Sequence, residues 1–227
     1  MLILAIDTSG KHGSIALARG DHVAGANNVE IIQVVPLVGG TFSAQLVPQI
    51  ATLLSGHGFS KHDVGAFAAA SGPGSFTGLR VGLAAVKALA EVLGKPIAAV
   101  SLLEACAITS GVHGEIVAAL DAGRNEAYIG EFNIPLAPDH PVRECLLTRT
   151  EFIAQMRGKK IVTPDPLLAE LAAEAGFSAS LIAPLSAAAV ARLGWHKIRL
   201  GEAVTPDELE ANYIRRTGAE TRERIGS

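Results

Sequence analysis

Two aspartates and one glycine-rich turn are the residues of this 227-residue chain whose types and spacing could do chemistry. Asp7 ends the apolar run Leu2–Ile6, and Asp121 ends Ala118-Ala119-Leu120. After each, the chain turns tightly and doubles back. Two carboxylates delivered at strand ends can hold the magnesium ion of a bound nucleotide. Each can equally cap its own turn, because Asp is common there. Ser9 supplies a hydroxyl donor after Asp7, whereas Ala122-Gly123-Arg124 offers none and adds a bulky cation.

The turn Ser71-Gly72-Pro73-Gly74-Ser75 leads into Phe76-Thr77-Gly78-Leu79-Arg80-Val81-Gly82, between an apolar strand and a helical pattern. Backbone N–H groups at such a junction favour an anion. Three catalytic patterns fail here. A phosphate loop needs a lysine that is missing, the dinucleotide fingerprint needs its third glycine one place before Gly78, and a nucleophile elbow needs glycine where Pro73 stands. What remains is a Ser75-capped helix with a nearly smooth Gly78/Gly82/Ala85 face. That face lets another backbone approach closely, inside the domain or across an interface, and anion binding stays open as the lesser alternative.

His12, His22, His57, His62, His113, His140 and His196 form no metal-ligand spacing, so no metal site is expected. Cys106 and Cys145 are isolated thiols, suited to a reducing compartment and to burial as small hydrophobes. Net charge is −3, from 19 basic and 22 acidic residues, which argues against unaided gripping of nucleic acid. The apolar stretch at Leu2–Ile6 is too short for a span or signal peptide, so a soluble, cytoplasmic protein is expected.

The elements that position these residues follow from periodicity. Leu2–Ile6 and Ser14–Ala18 read as a hairpin; Val23–Val29 is a candidate third strand, and Ile31–Val38, with Pro36, is irregular or an edge. Ser43 is expected to cap a helix over 44–55, with Leu46, Ile50, Leu53 and Leu54 on one stripe. Val64–Ala70 reads as a buried strand, Phe76–Leu93 as a helix stopped by Gly94, Ile97–Val100 as a strand and Leu102–Thr109 as a helix. The second unit opens with strands at Glu115–Leu120 and Ala127–Phe132, then a loop at Pro135–Pro141. Helices follow near 150–156, 166–175 and 186–200, with a short strand at 160–162. The strand–aspartate–turn pattern opens both halves, which suggests a duplicated βββαβα lobe. The expected division is 1–110 and 111–216, with a frayed tail at 217–227.

Ile3-Leu4-Ala5-Ile6-Asp7-Thr8-Ser9, the Gly72–Gly82 block, Ala119-Leu120-Asp121-Ala122-Gly123-Arg124 and Tyr213-Ile214-Arg215 together resemble the TsaB (YeaZ) family. The resemblance implies an α/β, actin-like, ribonuclease-H-like fold with two lobes. It also implies a non-catalytic scaffold for making N6-threonylcarbamoyladenosine at position 37 of tRNA. Its partners would be a catalytic TsaD-type subunit and a TsaE-type ATPase, with self-pairing when alone and at most weak tRNA contact. No cofactor is expected, ATP and Mg²⁺ being used by the wider complex, and Asp7, Ser9 and Asp121 would be a vestigial nucleotide site. The two N-lobe helices are implied as the subunit contact, giving Ser43, Leu46, Ile50, Leu53, Phe76, Gly78, Leu79, Gly82 and Ala85 as interface residues. Where relatives commonly read His-Ser-Glu/Gln, this chain has Phe42-Ser43-Ala44. The alternative function is an actin-fold kinase or ATPase using Asp7 and Asp121. A peptidase is a further rival, with Ser75 its one nucleophile candidate.

Overall fold

In the computed structural model, residues 1–21, 28–38, 41–135 and 143–214 are described. The chain forms two compact units, one from Met1–Leu102 with Leu185–Asn212, the other built on Leu103–Pro184.

The first unit holds β1 (Leu2–Asp7), β2 (Gly13–Gly20), β3 (Val29–Leu37), α1 (Phe42–Gly56), β4 (Val64–Gly72), α2 (Phe76–Leu93) and β5 (Ile97–Ser101). Its sheet runs β3-β2-β1-β4-β5. β1 pairs antiparallel with β2 and parallel with β4, and β4 pairs parallel with β5. β1 sits centrally, which is why its sequence is apolar without alternation. The candidate strand at Val23–Val29 is displaced: β3 begins at Val29, and residues 22–27 lie outside the described ones. Pro36 is tolerated because β3 is the sheet edge.

One face of this sheet carries Leu4, Ile6, Ile15, Leu17, Phe67 and Ala69 against α1 and α2, with Leu46, Ile50, Leu53, Leu83 and Val86 completing the core. The other face is lined by small residues and receives α6 (Ala187–Leu200). A Cβ on Gly194 would stand 2.5 Å from that of Ala68, and Gly20 lies against the buried Trp195 ring. Ala187 N–H donates to Ser14 Oγ at 2.8 Å and the Arg192 guanidinium to Val29 O at 2.9 Å. The chain beyond α6 stays here: Val204 bridges Ile97, Leu209 enters the core and Asn212 N–H donates to Ser71 O at 2.7 Å.

The second unit holds α3 (Leu102–Thr109), β6 (Gly114–Gly123), β7 (Glu126–Ile134), β8 (Arg143–Thr148), α4 (Arg149–Met156), β9 (Ile161–Thr163), α5 (Pro166–Glu174) and β10 (Ala179–Leu181). Its order, β8-β7-β6-β9-β10, repeats that of the first sheet, with the same antiparallel and parallel pairings. Each half therefore reads βββαβα, and the expected duplication holds. β8 and β10 were not individually legible in the sequence: Arg143–Thr148 mixes charge with apolar residues, and β10 has three residues. Most of the Pro135–Pro141 loop and the 217–227 tail fall outside the described residues.

The unit boundaries differ from the expected cut near residue 110. α6 packs on the first sheet, although it follows the last strand of the second half. Most of α3 belongs to the second unit, where Cys106 Sγ–H points at Val162 O, 3.7 Å away, and Leu103 Cβ lies 3.1 Å from a Cβ built on Gly130. The reason is steric: the alanine- and glycine-rich face of α6 fits strands presenting Ala68 and Ala98.

Candidate functional site

The Gly72–Gly82 segment shows what its glycines are for. Ser75 caps α2, its Oγ accepting the Gly78 N–H at 3.3 Å. A Cβ on Gly78 would run into Thr8 O, one on Gly82 into Thr8 Oγ1, and one on Gly74 would lie 2.5 Å from Ser9 O. Ser75 N–H donates to Ser9 O at 2.6 Å, and Thr8 Oγ–H donates to Gly78 O at 2.7 Å. The turn after β1 thus lies directly on the first turns of α2, and only residues without a Cβ permit that distance. Donors that could have faced an anion, Ser75 N–H and Gly78 N–H, are spent inside the unit. Internal packing wins over anion binding and over the expectation that Gly78 and Gly82 face a partner.

Asp7 belongs to the same buried knot. One oxygen, Oδ1, accepts both the Ser9 N–H at 2.9 Å and the Ser9 hydroxyl at 2.6 Å. Burial raises the Asp7 carboxyl above its ordinary range, and the two Ser9 bonds only partly oppose this. Asp121, in the other unit, is exposed. Its Oδ1 receives Arg149 Nη2 at 3.4 Å, and its N–H donates to Asp165 Oδ2 at 2.7 Å. Burial raises the Asp165 carboxyl, and the Asp121 charge adds to that. Asp7 is thus a turn clamp and Asp121 one arm of an ion pair. Among the described residues, no three His, Cys, Asp or Glu side chains are grouped to hold a metal ion. The Cys106 thiol is pushed up to about 12 by burial, which makes it a poor nucleophile.

The expected interface residues divide into two sets. Leu46, Ile50, Leu53, Leu79, Gly78 and Gly82 are buried within the first unit, because these residues form the inward stripes of α1 and α2. Phe42 is buried too, its ring against Gly13. Ser43 and Phe76 are exposed, and Ala85 is half-buried. The outward face is formed by residues the apolar stripe did not flag: Ala44, Val47, Pro48 and Ala51 on α1, and Thr77, Arg80, Ala84, Ala88 and Val92 on α2. Val47 is 58% exposed, Phe76 52% and Val92 76%. A groove of about 500 Å³ runs between the helices, lined by Ser43, Leu46, Phe76, Thr77, Arg80, Val81, Ala84 and Ala85. The Arg80 guanidinium stacks over the Phe76 ring, 3.7 Å from its centroid. α1 carries no charged residue at all. A helix that is apolar or uncharged all round normally has both sides covered. The complement of the buried stripe, taken at helical period, would have found this face in the sequence.

A family model described as TsaD: tRNA N6-adenosine threonylcarbamoyltransferase matches residues 28–184. The tRNA threonylcarbamoyladenosine biosynthesis protein TsaB of Bacillus subtilis is 38% identical over 132 residues, covering 57% of this chain and 54% of that protein. Its namesake from Escherichia coli is 32% identical over 135 residues, covering 58% and 55%. The chain thus spans about half the length of the curated relatives it matches. Among solved structures, YeaZ from Pseudomonas aeruginosa superposes with a TM-score of 0.68 at 24% identity, over 94% of this chain and all of that one. A second, an uncharacterized protein with similarity to peptidase YeaZ from Pseudomonas aeruginosa, gives 0.72 at 25% identity over 94% and 99%. The chain belongs to the family described as TsaD: tRNA N6-adenosine threonylcarbamoyltransferase, and within it the likeness is to the proteins named TsaB and YeaZ.

Proposed function

We propose that this chain is a non-catalytic partner subunit in threonylcarbamoyl transfer to adenosine 37 of tRNA, acting by binding a TsaD-type catalytic subunit. The observation that carries the reading is the outward face of α1 and α2, an uncharged helix beside a groove with Val47, Phe76 and Val92 projecting. Burying such side chains is worth roughly 1.5–3 kcal/mol each when complete. A stacked aromatic–arginine pair is the kind of anchor that dominates interface energies. The contact holds the catalytic subunit in its competent shape through differential affinity for that shape. Alone, the same face is expected to cover itself with a second copy.

Two features support a subunit without chemistry of its own. Asp7 is committed to Ser9, and Asp121 is committed to Arg149. No nucleotide turnover is expected from this chain, an ATPase of TsaE type supplying that step in the complex. Direct tRNA contact is expected to be weak, given the net charge of −3. Among the described residues no helix is long and apolar enough to cross a membrane, and a cytoplasmic assembly fits the reading.

The test is reconstitution. The chain should co-elute with a TsaD-type subunit, and omitting it from the complete mixture should abolish formation of the modified adenosine. Full modification in its absence would overturn the proposal.

A further inference from the structure

The outward face of α2 carries both a hole and a knob, and they lie at opposite ends of the same helix. The hole is the groove around Thr77, Arg80, Val81 and Ala84. The knob is Val92, more exposed than any other large hydrophobic side chain among the described residues. Val92 follows Val81 by eleven residues, and Glu91 follows Arg80 by the same interval. At 3.6 residues per turn, eleven residues bring the chain back to within roughly 20° of the same line, about 16 Å further along. Arg80 and Glu91 therefore stand on one exposed ridge, three turns apart, opposite in sign. Between them lie only Ala84, Ala88 and the half-buried Lys87, with Lys87 one turn from Glu91.

A second copy of this helix, laid antiparallel across the first, satisfies both features at once. The register that sets Arg80 against the partner's Glu91 also lowers the partner's Val92 over the groove beside Val81. By the two-fold axis the same contacts form a second time in reverse. The helices cross at Ala84 and Lys87, where a small side chain permits close approach and the lysine stem can lie along it. α1 adds Val47 and Pro48 without any charge that opposes the pairing. A parallel arrangement loses this match, since it sets Arg80 near the partner's Arg80 and leaves Val92 facing Val92. We infer that the occupant of this groove, in the isolated protein, is a second copy of the chain bound through antiparallel α2 helices in the Arg80–Glu91 register. The inference rests on the proposed docking face and specifies its self-complementary register.

Charge exchange tests it. Sedimentation equilibrium of the purified full chain should show a reversible dimer. Arg80→Glu sets like charges at both ends and should raise the dimer dissociation constant at least about tenfold. The double variant Arg80→Glu with Glu91→Arg restores opposite signs in the same register and should return it to within about threefold. Val92→Asp should leave a monomer with an unchanged melting temperature. A monomeric wild type, a dimer indifferent to Arg80→Glu, or a double variant no better than the single one would each overturn the register. Capture of each variant by a TsaD-type subunit is measured in parallel. A wild type that is captured yet never self-associates sinks this inference and leaves the proposed function standing. A charge-exchangeable dimer that no catalytic subunit captures does the reverse.

Discussion

The two halves of the chain have one strand order and one element order, yet they seat their equivalent helices differently. In the first half, the turn after β1 presses onto α2, and Gly74, Gly78 and Gly82 make room for Thr8 and Ser9. In the second half, the end of β6 meets the start of α5 through a side chain: Asp121 N–H donates to the Asp165 carboxylate at 2.7 Å. Pro166 opens α5, where its missing N–H costs nothing. One topological problem, joining a central strand end to the following parallel helix, has two solutions. Close backbone approach demands glycine and resists substitution; a carboxylate link spans a gap and tolerates change. The outward helix faces diverge as well. α1 and α2 expose Val47, Phe76 and Val92, whereas α4 and α5 expose Glu151, Glu170 and Glu174, as a solvated surface does.

Substitutions sharpen this contrast. The largest effect is expected at Gly82→Leu, which forces a side chain into Thr8 and Ile6 and should cost at least about 3 kcal/mol in denaturant unfolding. A stability within about 1 kcal/mol of wild type would refute close packing as the role of that glycine. Next is Asp165→Ala, which strands the Asp121 N–H and should cost about 1–2 kcal/mol. The loss is tempered because burial already disfavours the Asp165 charge.

Asp7→Asn should act in the opposite sense at neutral pH. Asp7 is raised in the folded chain above its ordinary 3.8, so the folded state holds a proton that the unfolded chain has lost. Stability from this group is present below pH 3.8 and falls as pH rises through the folded value. Asparagine keeps an oxygen for both Ser9 donors without the buried charge. The melting temperature at pH 7 should therefore rise, and the decline through the acidic range should flatten. A lower melting temperature at pH 7 would show that the Ser9 bonds outweigh the burial of charge. Smallest is Asp121→Asn, which weakens a half-exposed ion pair at 3.4 Å and should change stability by less than about 1 kcal/mol.

Strand–aspartate–turn repeats at Asp7 and Asp121 made the duplication legible, because an apolar run ending in a carboxylate is a local signal. α2 was legible for the same reason: the Ser75 cap, the Leu79/Leu83/Val86 stripe and Gly94 are all near in sequence. The glycine face was visible as a pattern, but its direction was not. Whether Gly78 and Gly82 meet Thr8 or another protein depends on a contact across some seventy residues of chain. α6 was misassigned on similar grounds, since chain order cannot report which sheet receives a helix. The outward residues Val47, Arg80 and Val92 escaped because an amphipathic reading looks for the side that is buried in its own chain.

The central claim is that the outward face of α1 and α2, not the glycine face, docks the catalytic subunit. Its most direct test is co-elution of Val47→Asp and Phe76→Asp variants with a TsaD-type subunit, alongside their melting temperatures. Both side chains are more than half exposed, so melting should stay within a few degrees of wild type while binding falls at least about a hundredfold. Variants that co-elute as well as wild type would contradict the account.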